Sequence, residues 1–147
     1  MRSFDLTRFT TAQSDTYEAA LQEIRAEKKR THWMWFIFPQ IVGLGSSEMA
    51  KYYAIGDIDE ANAYLTHPIL GARLKEITEA MNVAIHSDPA SLLGATDAAK
   101  FQSCMTLFGR IAGDKTCFRH AIDKFFGGQA DELTLKRFTD WQKDTKY

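Results

Sequence analysis

Apolar residues recur along most of this chain at every third or fourth position, the spacing of a helix with one buried face. Leu70, Leu74, Ile77, Met81 and Ile85 form the clearest stripe. Pro68 starts that helix, because proline suits the first helical position and restricts the His67 before it. The first convincing helix runs from about Ser14 to Lys28, with Asp15 and Glu18 at capping-box spacing and Tyr17, Leu21 and Ile24 on one face. Phe4, Leu6 and Phe9 pack beneath it. Ser46 or Ser47 caps a short helix carrying Met49, Tyr52 and Tyr53, and Asp57 with Glu60 opens another through Tyr64 and Leu65. Asp88 and Pro89 begin a short piece to Leu93. Thr96 caps a longer segment to about Ile111, with Phe101, Met105 and Phe108 as its stripe. Asp114 starts a helix that buries Phe118, Ala121, Ile122 and Phe125 and stops at Gly127 and Gly128. The last, from Asp131, docks through Leu135, Phe138 and Trp141.

One stretch breaks the pattern. Residues 32–40 read HWMWFIFPQ, with no polar position between His32 and Gln40. It offers the chain's only credible strand, and a lone strand has nothing to pair with. The expectation is therefore an all-α protein of seven or eight helices rather than α+β. No repeat, low-complexity tract or Pro/Gly/Ser-rich linker divides the sequence, so residues 1–147 read as one compact domain.

Composition narrows the function classes. With 45% hydrophobic, 12% aromatic and 25% charged residues, disorder is excluded. A net charge of -1 provides no basic footprint for nucleic acid and no polybasic attraction to anionic membrane. The dense basic run, Lys28-Lys29-Arg30, sits at a helix end, where cations complement the dipole. The aromatic stretch is far shorter than the roughly 20 apolar residues of a membrane span. Met1-Arg2-Ser3-Phe4-Asp5-Leu6 has no apolar leader region. A cytoplasmic location follows, with Cys104 and Cys117 as reduced thiols.

HWMWFIFPQ followed by GLGSS, together with AYLTHPILGARL, KFQSCMTLF and FRHAIDKFFGG, resembles the bacterial domain-of-unknown-function family eighteen-ten, sometimes labelled calpastatin. The resemblance covers about Phe4 to Leu135. It implies a compact, mainly helical domain and brings no substrate or catalytic assignment. A calpain inhibitor of the calpastatin type is an extended, disorder-rich chain, whereas this one carries aromatic core stripes throughout. The resemblance also implies a serine pair before MTLF, where this chain has Ser103-Cys104.

The candidate chemistry gathers around the aromatic motif. Trp33, Trp35 and Phe36 can stack on a planar ring. His32 and Gln40 bracket them, and His32 is the candidate acid or base, since imidazole ordinarily titrates near neutrality. Gly43-Leu44-Gly45-Ser46-Ser47 leads into a helix start whose N–H groups and hydroxyls can hold an anion, though it is neither a Walker loop nor a dinucleotide fingerprint. Asp97, Lys100 and Ser103 recur at three-residue spacing on one helix flank, where Lys100 can neutralise a ligand or pair with a carboxylate. Cys117 and His120 lack the paired spacing of a metal site, and neither metal nor cofactor is expected. His67 and His86 stand at helix boundaries as capping or surface groups. His120 and Lys124, with Arg119 and Asp123 as a pair, mark a solvated face.

The expected function is binding of a small anionic, ring-bearing, nucleotide-like metabolite, with Gly43, Gly45, Ser46, Ser47, Lys100 and Ser103 on the anion side. Whether catalysis follows is open, as is the oligomeric state. Two alternatives stand beside it: a helical protein–protein interaction module, marked by an exposed apolar patch, and a hydrolase using Ser103 and Lys100, which lacks a nucleophile elbow.

Overall fold

A computed structural model describes residues 4–144; Met1, Arg2 and Ser3, part of the leader argument, lie outside the described residues. Ten helices occur among these residues: α1 (Thr7–Ser14), α2 (Tyr17–Arg25), α3 (Met34–Ile37), α4 (Glu48–Tyr52), α5 (Ile58–Thr66), α6 (Leu70–Asn82), α7 (Pro89–Leu93), α8 (Ala95–Ala112), α9 (Cys117–Phe126) and α10 (Glu132–Asp144). The chain is all-helical, but two helices exceed the expectation, and both lack a legible pattern. TRFTTAQS in α1 is mostly polar, burying only Phe9 and Gln13. MWFI in α3 has no polar position from which a period could be read.

The longest helix, α8, is the axis. It packs against α3, α5, α7, α9 and α10, and its residues 103–108 are all buried. A helix enclosed on several sides must be apolar around its circumference, so Cys104 and Leu107 join Phe101, Met105 and Phe108 in the core. Rings continue outward from it: Phe38 meets Phe101 edge-on at 4.9 Å, and Tyr64 stands 5.5 Å from Phe108. The buried apolar side chains form one cluster reaching every helix except α4.

Several helix starts follow the expected capping chemistry. Asp57 accepts from the Glu60 N–H, while Glu60 reaches back to the Gly56 N–H, one residue earlier than a capping box requires. Asp88 accepts from the Ala90 N–H ahead of Pro89. His67 Nδ1 accepts from the Ile69 and Leu70 N–H groups and so opens α6.

Elsewhere the caps differ. Asp15 closes α1 instead of opening α2. Thr96 lies inside the first turn of α8, behind an N-cap Gly94. Asp114 precedes α9, which starts at Cys117. Lys124 is also not on a solvated face, because its ammonium turns in to the Asn82 carbonyl at 2.8 Å and to those of Met81 and Ala84, closing the end of α6. Arg119 and Asp123 do pair, at 3.2 Å.

The aromatic stretch is not a strand. Among the described residues a single parallel bridge joins Ile41 to Ile55, with the Val42 N–H donating to the Ile55 carbonyl and the Ile55 N–H to the Gln40 carbonyl, both at 2.9 Å. Those bonds close residues 42–54 into a flap containing the Gly43 to Ser47 turn and α4.

Candidate functional site

Two polar side chains from the N-terminal helices hold the aromatic motif in place. Glu23 on α2 accepts, through Oε1, from the Arg30 N–H at 2.7 Å, the Thr31 N–H at 3.0 Å and the Trp33 indole N–H at 3.0 Å; its Oε2 accepts from the Thr31 hydroxyl at 2.6 Å. Burial pushes this carboxyl up, but the hydrogen bonds outweigh it and hold the group down at about 2. At the other end buried Gln13 donates to the Phe36 carbonyl at 2.7 Å and to the Tyr64 hydroxyl at 3.1 Å. A short helix with four apolar residues is thus fixed by charge and amide chemistry supplied from elsewhere in the chain.

Fixed this way, the motif presents one ring outward. Trp33 is 0% exposed, its ring face covered by the Lys29 ammonium at 4.9 Å. Phe36 is buried against Tyr53, ring centres 5.3 Å apart. Trp35 is half-buried, and the Lys100 ammonium stands 4.9 Å over its ring. Two clefts meet at this contact. The smaller, about 340 Å³, lies between His32 on one side and Ala95, Asp97 and Lys100 on the other. The larger, about 600 Å³, runs from Trp35 and Gln40 past Gly45, Ser46 and Ser47 to Lys100, Ser103 and Leu133. Trp35, Thr96 and Lys100 border both clefts.

Charge at the junction is unequally shared. Asp97 receives Lys29 at 2.9 Å and Lys100 at 3.3 Å. Lys29 is nearly enclosed, with 7% of its side chain exposed, whereas Lys100 retains 24%. One carboxylate therefore faces two ammonium groups, and the shorter bond to the enclosed lysine leaves Lys100 as the cation available to the clefts. Along the rim, Ser47 accepts from the Ala50 N–H as the N-cap of α4, while Ser46 is exposed. The Ser103 hydroxyl donates to the Ala99 carbonyl and to Asp131, with no bond to Lys100 among the described residues.

The structure thus brings together His32, Trp35, Gln40, Gly45, Ser46, Ser47, Lys100 and Ser103 around adjoining clefts. Trp33 stands in the wall of the smaller cleft but has no solvent-exposed surface, and Phe36 and Gly43 border neither cleft: Phe36 is core, and Gly43 packs on Arg137. Lys29, Thr96, Asp131 and Leu133 border the clefts without having been read as site residues, and Asp97 does so beside the Lys100 with which its spacing grouped it. Only Asp97, three residues from Lys100, had a local signal. Lys29 reads as a helix-end cation until the fold turns it inward. Cys104, where the family resemblance implies a serine, is fully buried away from both clefts, and burial pushes its thiol well up. Among the described residues no group of three or more His, Cys, Asp or Glu side chains could hold a metal ion, and no helix is long and apolar enough to cross a membrane.

Residues 3–138 match the family described as protein of unknown function, DUF1810. This chain belongs to the DUF1810 family. The fold of this chain is similar to that in the crystal structure of the conserved hypothetical protein Rv1873 from Mycobacterium tuberculosis, which is 42% identical to this chain. The two superpose with a TM-score of 0.90, over 92% of this chain and 97% of that one. No match is found among curated proteins.

Proposed function

We propose that this DUF1810 chain is a cytoplasmic binding protein for a small anionic, ring-bearing metabolite of nucleotide-like chemistry. The observation that carries the reading is the Lys100 ammonium poised over the half-buried Trp35 ring where the two clefts meet. A ring stacks on Trp35 while its anionic group draws Lys100 away from Asp97, whose charge Lys29 continues to balance. Gln40 and Ser46 supply orienting hydrogen bonds from the larger cleft, and His32 is the candidate proton donor or acceptor on the smaller. The larger volume lies in the usual range for small-molecule sites.

The experiment is a thermal-shift screen of nucleotides and cofactors against the wild type, W35A and K100Q, with tryptophan fluorescence read in parallel. Stabilisation of the wild type that both substitutions reduce is the expected result. No stabilisation by any compound at high concentration, with fluorescence unmoved, would refute the reading. One observation favours an interaction module instead: Val83 and Ile85, after α6, are 81% and 91% exposed. Concentration-dependent self-association abolished by V83S/I85S is the outcome that reading requires.

A further inference from the structure

Most basic side chains whose partners are visible have an obvious use. Arg8 bonds to Glu60 and the Tyr52 and Ala54 carbonyls, Lys29 to Asp97, Arg119 to Asp123, and Lys124 to the end of α6. Arg137 on α10 is different. It has no hydrogen bond or ion pair among the described residues, and its Nε is buried without an acceptor. With no carboxylate of the described residues paired to it, the guanidinium can take up an anion that the protein does not itself supply.

Arg137 is not among the residues that wall the larger cleft, but it adjoins that wall. Arg137 follows Leu133 by one helical turn on the same face of α10, and Leu133 borders the larger cleft. The guanidinium packs against the backbone of Gly43, with Cζ only 2.6 Å from where a Cβ would stand, and Gly43 has φ +93°. Residue 43 is glycine on both counts: a side chain would displace the guanidinium and would strain the turn. Leu44 and Gly45, which continue that turn, are cleft wall. Asp131, the carboxylate on this side of the cleft, is already occupied by the Thr134 N–H and hydroxyl and by the Ser103 hydroxyl.

We infer that Arg137 is a second cationic anchor of the cleft, so that the ligand carries a chain of at least two anionic groups, the chemistry of a nucleoside di- or triphosphate. This rests on the cleft reading above. The ring lies on Trp35, the nearer charge meets Lys100, and the farther charge reaches the guanidinium beneath the 43–45 turn. The planar fork of Arg137 suits two oxygens of one phosphate, which a lysine ammonium does not.

Isothermal titration of adenosine 5′-mono-, di- and triphosphate into the full chain tests it, using wild type, R137Q, R137K, W35A and K100Q, with circular dichroism as a check on folding. Wild-type affinity should rise by roughly tenfold from the monophosphate to the longer chains, as one added charge-assisted contact allows. R137Q and R137K should both lose that rise while leaving monophosphate affinity within about threefold; should R137Q not fold, R137K decides. Flat affinity along the series, or a rise that survives in R137K, overturns the second anchor and leaves the cleft reading standing. No binding by any member, or binding untouched by W35A and K100Q, removes the cleft reading as well.

Discussion

Replacing Glu23 by alanine should loosen the aromatic motif without touching the clefts directly. The carboxylate accepts four hydrogen bonds, and their values differ because their donors differ in exposure. The Trp33 indole N–H belongs to a side chain with no solvent access, so losing its acceptor costs about 1–3 kcal/mol. The Arg30 and Thr31 N–H groups lie at the surface and recover water, adding together no more than about 1 kcal/mol. The expected loss for E23A is thus ~1–4 kcal/mol at pH 7, a fall in Tm of roughly 3–15 °C for a chain of this size.

Acid should erase the difference. The folded carboxyl is held at about 2, below its ordinary 4.5, so its contribution is complete above pH 4.5 and is lost as pH falls towards 2. Glu27, held at about 2 by the His86 and Ile85 N–H groups and the His86 ring, weakens wild type and variant alike in acid and cancels in the comparison. The assay is urea unfolding at pH 7, 5, 4 and 3, followed by tryptophan fluorescence and circular dichroism. A difference below about 0.5 kcal/mol at pH 7, or one that stays constant from pH 5 to pH 3, would refute the argument that Glu23 holds Trp33 in place.

Gly71→Ala should be among the most damaging small substitutions, at about 3 kcal/mol or more, because its Cβ would stand 2.0 Å from the Leu65 carbonyl oxygen, a backbone atom that cannot rotate away; soluble yield and Tm report it, and a Tm within 2 °C of wild type would contradict it. Lys124→Met retains the stem but leaves the end of α6 without its cation, costing ~1–2 kcal/mol by urea unfolding; an unchanged midpoint would show that those carbonyls are served by water. Iodoacetamide at pH 8 should modify Cys117 slowly and Cys104 not at all in the folded protein, since burial pushes the first thiol up to about 11 and the second well above its ordinary value. Mass spectrometry before and after urea treatment checks this, and rapid native labelling of Cys104 would show that the core opens.

The amphipathic helices were legible because each carries its own evidence. Leu70, Leu74, Ile77 and Met81 declare a buried stripe, although Ile85, expected to continue it, stands exposed past the helix end at Asn82; Asp57, Asp88 and Asp131 declare helix starts through bonds spanning only a few residues. The all-helical class followed from these local signals. The apolar run in HWMWFIFPQ likewise announced burial, since burial depends on residue type before it depends on geometry.

Its conformation and its outward face were another matter. No periodicity exists in a run without polar positions, so neither the short α3 nor the choice of Trp35 over Trp33 as the exposed ring could be read locally. Those outcomes depend on Glu23 and Gln13, ten and twenty-three residues from the atoms they hold. The same distance explains the charges: Lys29 and Asp97 are sixty-eight positions apart in sequence and 2.9 Å apart in space, and Arg137 meets Gly43 across most of the chain. The sequence by itself determined that this protein is helical, where most of its core lies, and which residue types could serve a ligand. Only the tertiary structure decided which of them share a cleft, because side-chain chemistry is a property of each residue whereas convergence belongs to the packing of α3 and α10 against α8.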